Sequence, residues 1–500
     1  MTVVDAASRR LITLGAMLAT AMMSLDSTIA NVALPHMQGS MATTSDQITW
    51  VLTSYIVAAA ILTAPTGWLA SRFGIRRVFL VSVAGFTTAS VLCGMAATLP
   101  QMVLFRILQG GFGASLAPLS QAALLDAYPR ERHGSAMAIW GLGVTVAPIL
   151  GPTLGGWLTD NYNWRWVFYI NVPLGVLAYL LLADQLPKRS PRTDKPFDWA
   201  GFVVLSVAVA AFQLMLDRGQ QKDWFGSTEI VVEAVLAGLF LYFLIVHTAT
   251  TRRHPFVDPA LLRDRNFTAS CVLTFVVGIV LFATLALLPP LMQGLLGYPV
   301  VLSGLLLAPR GLGSMVAMLL IGRFINRIDP RALVGLGFVI AAIAQWQMSG
   351  FSLDVGPRDI LMTGIVQGVG VGLIWVPLST LAFATLPASR RGEAASLMSL
   401  IRNLGSSVGI SLVTTLLARN IQINHAQISE HLTPFRLHEL PALLQHNLPL
   451  LNAEVNRQAS MIAYTNDFHV MMLATALAAP LVFLLRRPAR IEVDPAAMAE

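Results

Sequence analysis

The sequence predicts an all-α integral membrane protein of fourteen transmembrane helices: two six-helix bundles related by pseudo-two-fold symmetry, with two further helices inserted between them. Three observations predict it. Apolar runs long enough to cross a bilayer recur along a chain of 500 residues that is 55% hydrophobic and only 12% charged, whereas soluble domains carry about 25% charged residues. "QGGFGASLAPLSQ" from Gln109 resembles "QGVGVGLIWVPLST" from Gln367, and "GWLASRFGIRR" from Gly67 has a weaker echo in "GRFINRIDPR" from Gly322. Such a parallel repeat is what two bundles related by an axis along the membrane normal produce. Arginine and lysine, finally, segregate between alternate loops.

Breaking the apolar runs at charged or Pro/Gly/Asn turns places the spans at 11–34, 48–70, 78–98, 100–126, 134–158, 164–184, 198–217, 229–248, 268–291, 302–322, 332–351, 358–384, 393–417 and 467–486. Arg9 and Arg10 precede the first run, which lacks a small-residue cleavage site, so it reads as an uncleaved helix. Loops on the side of the termini hold most of the basic residues. The opposite side has only Arg165, Arg218, Lys222, Arg358, Arg419, Arg436 and Arg457. Both termini are therefore expected in the cytoplasm.

The expected organisation is an N-terminal bundle over 1–185, a basic cytoplasmic linker at 186–197, two inserted helices over 198–248, a C-terminal bundle over 266–486 and a cytoplasmic tail at 487–500. The C-terminal bundle includes a long external loop, 418–466, which reads either as a loosely ordered insertion or as short amphipathic helices.

Several chemistries are excluded. The net charge of +7 is spread through short loops, a topology signal and not a nucleic-acid patch. Cys93 and Cys271 lie inside apolar runs without metal-ligand spacing, and no lysine follows a glycine in a phosphate-loop pattern. Gly405–Gly409 has the spacing of a hydrolase nucleophile elbow but lies within an apolar helix, where small residues serve close packing. Enzyme activity, metals and cofactors are not expected.

Charges within the spans carry the functional reading. Asp26 lies fifteen residues beyond Leu11, roughly 22 Å into a hydrocarbon core about 30 Å thick. Arg106 lies about 9 Å in from the opposite edge. The two levels coincide. Either charge alone costs about 2.5 kcal/mol or more at a helix centre, so an acid and a base at one depth are expected to offset each other. Gln109, Gly110 and Gly113 share a face with Arg106 that should line the bundle interior. A carboxylate there can exchange a proton as its surroundings change sides; a permanent ion pair that fixes packing is the other reading. Arg310 and Arg402 fall near mid-membrane, where they bind an anion, bond backbone carbonyls or hold helices together. "GVTVAPILGPTLGG" sets Gly143, Ala147, Gly151 and Gly155 on one smooth face interrupted by Pro148 and Pro152, a seam for tight helix contact and bending.

With these residues in view, the chain resembles the major facilitator superfamily, specifically its fourteen-helix drug:proton antiporter branch of the EmrB/QacA type, closest to the EmrB-like subgroup. "LDSTIANVALP", "RILQGGFGA", "APILGPTLGG" and "LDRGQQKDWF" are similar to that branch's first-helix, fourth-helix, antiporter and insert motifs. The resemblance implies a major facilitator fold and proton-coupled export of amphipathic drugs or toxic compounds by alternating access. Asp26 and Arg106 take the proton-coupling positions, and Gly143 to Gly156 the antiporter seam. "GWLASRFGIRR" departs from the superfamily's loop motif at Ser71 and Ile75, so Arg72 or Arg76 is expected to pair with Asp126 in gating. The resemblance also implies a bacterial inner membrane, a periplasmic adaptor and an outer-membrane channel as partners. The substrate cavity is expected between the bundles, around Asn31, Gln109, Gln293, Arg310, Gln367 and Trp375. Export of one specific metabolite or siderophore, and a non-transporting scaffold or sensor, are the alternatives.

Overall fold

The computed structural model describes residues 5–129, 132–187, 196–251, 255–324, 328–387, 390–432 and 447–486. Most of the expected linker (188–195), the tail (487–500) and part of the expected external loop (433–446) lie outside the described residues. Among the described residues every regular element is helical.

The N-terminal bundle comprises α1 (Ala6–Ser40), α2 (Trp50–Thr63 and Thr66–Phe73), α3 (Ile75–Met95), α4 (Leu99–Gly113 and Leu116–Ala127), α5 (His133–Asn161) and α6 (Trp166–Tyr169 and Asn171–Ala183). The insert is α7 (Trp199–Arg218) and α8 (Thr228–Thr250). The C-terminal bundle comprises α9 (Arg265–Pro290), α10 (Val300–Phe324), α11 (Pro330–Ser349), α12 (Pro357–Ala384), α13 (Arg391–Glu430) and α14 (Leu448–Ala478).

Twelve helices among the described residues are long and apolar enough to cross a membrane, or thirteen when the two halves of α2, bent by 53°, count as one span. The sequence count of fourteen is reached only by adding α5, which is outside that set although its 29 residues exceed the roughly 20 a crossing needs.

Local chemistry sets the ends and breaks. Pro65 interrupts α2 at its bend, because proline lacks the amide that the preceding turn needs. Gly74 turns α2 into α3 at φ 88°, a conformation that costs a residue with a Cβ. Asp198 and Asp329 accept backbone N–H groups at the starts of α7 and α11. Pro289 and Pro290 end α9, and a π-turn follows at Leu291–Leu295.

Packing repeats between the halves: α1 packs on α5 as α9 does on α13, α2 on α4 as α10 on α12, and α3 on α6 as α11 on α14. The bundles meet where α5 packs along α10 and where α13 packs on α2, while α7 lies against α2 and α13. In the half nearer the termini one apolar core crosses this interface, joining Phe79 and Trp140 to Met318 and Phe383. In the far half each bundle has its own core, around Phe168 in one and Phe468 in the other. The bundles are thus fused at the terminal face and separately packed at the far face.

The expected loop at 418–466 is largely helical in its described part. The helix α13 continues to Glu430, and α14 begins at Leu448. Leu451, Val455 and Ala459 are buried at four-residue spacing, an apolar seam that makes this segment a helical extension. His425 and Asn452 join the two extensions at 2.9 Å.

Candidate functional site

Asp26 and Arg106 touch. The Arg106 Nη1 donates to Asp26 Oδ2 at 2.7 Å, and both residues are 0% exposed. The agreement in depth read from the sequence is met by direct contact. Their surroundings complete the pairing. Gln109 accepts from Arg106 Nη1 at 2.8 Å and donates to Asp26 Oδ1 at 2.8 Å, so one amide spans the ion pair. Asn171 donates to the same Oδ1 at 2.9 Å. Ser90 accepts from Gln109 and Asn171 and donates to the Phe168 carbonyl. Arg106 Nε donates to the Val51 carbonyl at 2.9 Å. A buried ion pair offsets its desolvation cost only when the remaining donors and acceptors are matched in this way.

Three helices besides α1 and α4 supply these partners. Tyr55 from α2 sets its ring 4.1 Å from the Arg106 guanidinium carbon, and Phe168 from α6 lies at 5.7 Å. Ser90 comes from α3, and Asn171 opens the second half of α6. Sequence reasoning missed Tyr55, Ser90 and Asn171. Each lies five residues from the far end of its span, roughly 8 Å deep, which is the level of the pair.

The pair is not in a cavity, as the sequence reading expected. A cavity of about 130 Å³ lies between the bundles, lined from α1 by Ser24, from α2 by Tyr55, from α5 by Pro148, from α7 by Gln213, from α9 by Phe282 and from α13 by Arg402. Tyr55 adjoins both: its ring lies over the Arg106 guanidinium, and the residue also borders the cavity.

None of the six residues expected to line the cavity borders it. Asn31 is exposed on α1, and Gln109 belongs to the ion-pair network. Gln293 sits on the π-turn after α9. Arg310 is 1% exposed and donates to the Leu281 carbonyl, and Gln367 donates to Thr284 within the C-terminal bundle. Trp375 stacks on Trp140 with ring centroids 6.0 Å apart, a contact between the bundles, and Arg402 lies 5.5 Å from its ring. The polar residues of α9, α10 and α12 turn inward on their own bundle, so periodicity placed them in the interior without showing which interior.

The expected gating residues divide similarly. Asp126 pairs with Arg391 at 3.9 Å, across the bundle interface, and not with Arg72 or Arg76. Arg76 instead donates to the Ala183 carbonyl at the end of α6, and Arg72 occupies the last turn of α2. Beside the Asp126 pair, Gly67 packs on the backbone of Gly392 and Glu393, so the start of α13 lies against α2. A Cβ on Gly143, Gly151 or Gly155 would meet Met17, Thr28 or Ile29. The small-residue face, with buried Ala147 and Gly156, thus seats α5 on α1 around the segment bearing Asp26, a seam within one bundle. Pro148 borders the cavity and Pro152 is half-buried. Contact across the bundles falls instead to Gly141 against Met318 and Gly304 against Thr153.

At the terminal face of the insert, Asp198 accepts from the Gly201 and Phe256 amides and meets His247 Nε2 at 2.8 Å. Partial burial would raise its carboxyl, but those three partners outweigh it and hold Asp198 below the usual carboxylate range.

A chain of such helices, in two pseudo-symmetric bundles around a central cavity, has the architecture of a secondary transporter. It belongs to the Major Facilitator Superfamily, whose family profile matches residues 16–410. The chain is 40% identical over 427 residues to the multidrug export protein EmrB of Haemophilus influenzae, covering 85% of this chain and 84% of that one. It is 37% identical over 487 residues to the fatty acid resistance protein FarB of Neisseria gonorrhoeae, covering 95% and 96%. Among solved structures, the proton:xylose symporter XylE superposes with a TM-score of 0.60 at 14% identity, covering 94% of this chain and 95% of that one, a likeness of fold alone. The family is one of transporters and not of enzymes.

Proposed function

We propose that this chain is a proton-coupled antiporter that exports amphipathic compounds across a bacterial inner membrane by alternating access, with both termini in the cytoplasm. The observation that carries the reading is the fully buried Asp26 carboxylate, held by Arg106 and by two amides that can turn. In its ionised form Asp26 satisfies all three donors. Adding a proton removes the negative charge and leaves Arg106 without its counter-charge in a dry interior. The α1–α4 packing is then no longer favoured, and the arrangement has the two states that an exchange cycle needs. Protons entering the cell supply about 2.3 kcal/mol per charge for each 100 mV of potential, in addition to the pH gradient.

The continuous terminal-face core and the Asp126–Arg391 pair support a state closed toward the cytoplasm. A cavity of about 130 Å³ is smaller than the roughly 300–1,000 Å³ of drug-sized sites, so loading and release require the bundles to part. The relatives' names support export of drug-like amphiphiles. The extensions of α13 and α14 beyond the far face form the surface offered to a periplasmic adaptor and outer-membrane channel. A non-transporting scaffold would use the Asp26 network only to fix packing.

Efflux of a dye panel from proteoliposomes with an imposed pH gradient tests the reading. Wild type should expel at least one dye only while the gradient lasts, and folded Asp26→Asn should not. Gradient-driven efflux that survives in Asp26→Asn would remove Asp26 from the coupling role.

A further inference from the structure

Among the described residues four arginines of the helices are buried. Arg106 has Asp26 and Arg391 has Asp126, while Arg310, with Nη1 unpaired, donates to the Leu281 carbonyl inside the C-terminal bundle. Arg402 is different. It is 6% exposed, borders the central cavity, and among the described residues its guanidinium makes no hydrogen bond and has no carboxylate within ion-pair distance. Its close neighbour is the Trp375 ring, 5.5 Å away, which positions a cation without neutralising it.

The rest of the lining fits this asymmetry. Arg402 is its one charged residue. Asn403 borders the cavity beside it with a side-chain amide that makes no hydrogen bond among the described residues. Phe282, Val144, Ala59 and Ala60 supply an apolar wall. A guanidinium in a low-dielectric cavity is costly while unpaired and strongly favours an anion that can accept its planar donors.

The geometry points to the central cavity as a binding site for amphipathic monoanions, with Arg402 and Asn403 holding the anionic group and the Phe282 wall taking the apolar body. This rests on the exporter reading above and names its substrate class. It also separates the substrate's anchor from the proton's: Arg402 borders the cavity, and Asp26 does not.

Binding of three probes of equal chain length, decanoate, decanamide and decyltrimethylammonium, to the purified full-length protein in lipid nanodiscs tests the assignment without any gradient. The wild type should bind decanoate at least about tenfold more tightly than the amide, the scale expected for a desolvated charge-assisted contact. Arg402→Gln should lose that preference while its amide affinity stays within about twofold, and Arg402→Lys, which keeps the charge, should retain most of it. Should Arg402→Gln fail to fold, Arg402→Lys and Asn403→Ala carry the test, the latter weakening decanoate alone. Equal weakening of all three probes, or an unchanged preference for decanoate, would overturn the assignment. Gradient-driven transport that survives in Asp26→Asn would count against the coupling reading alone, because the anion site is judged by these binding preferences and not by transport.

Discussion

The ring of Tyr55 covers the Arg106 guanidinium at 4.1 Å, and Tyr55 also borders the central cavity, so this residue links the place where a substrate would sit to the buried Asp26 pair. Removing the ring should open a route between the two. Tyr55→Ala is expected to let protons through without substrate, raising the passive proton leak of proteoliposomes severalfold, whereas Tyr55→Phe keeps the barrier. A leak unchanged in Tyr55→Ala would show that other groups seal the pair.

Asn171 donates one of the three hydrogen bonds that Asp26 accepts. A hydrogen bond to a charged group contributes about 1.5–3 kcal/mol. Asn171→Ala removes one of the three, so gradient-driven exchange should slow several-fold. The measurement is transport rate at a fixed gradient, and an unchanged rate would make Asn171 a packing residue only.

The Asp126–Arg391 pair spans the bundles at 3.9 Å, with the Asp126 side chain 55% exposed. Arg391 is itself buried and also donates to the Leu125 carbonyl. Arg391→Gln should therefore raise the labelling of cysteines introduced along the terminal-face interface. Unchanged labelling would leave the shared apolar core alone responsible for closure.

Asp198 caps α7 and ties it to His247 of α8 and to the amide of Phe256. Loss of such a cap costs about 0.5–2 kcal/mol. Because its partners hold Asp198 below the usual carboxylate range of about 4, its contribution is present above that pH and is lost as pH falls through the lowered value. Asp198→Ala should thus lower the melting temperature at pH 7, and the difference from wild type should shrink below about pH 4.

Much of this was legible in the sequence, for definable reasons. Helical rise converts residue number into depth, and depth alone brought Asp26 to the level of Arg106, where the structure places them in contact. The same arithmetic applied to Tyr55, Ser90 and Asn171 reaches the same level, and those residues escaped notice because a lone hydroxyl or amide in an apolar run raises no alarm. Lateral position was not legible. Whether Gln367 faces the central cavity or Thr284 of its own bundle depends on the rotation of α12 against α9, which no periodicity in one helix fixes. The small-residue face of α5 was read correctly as a close-packing surface, but its partner, α1, is a matter of tertiary arrangement. At 418–466 polar residues obscured the buried spacing of Leu451, Val455 and Ala459, so the segment read as a loose insertion or as short helices and not as extensions of α13 and α14.

The coupling between substrate and proton is tested most directly by following proton release with a pH indicator when a saturating substrate is added to the purified, weakly buffered protein. If Asp26 is the exchanging group, wild type releases protons when the substrate binds and Asp26→Asn releases none while still binding the substrate. Equal release from both proteins, or substrate binding by the wild type with no release at any pH between 5 and 9, would contradict it.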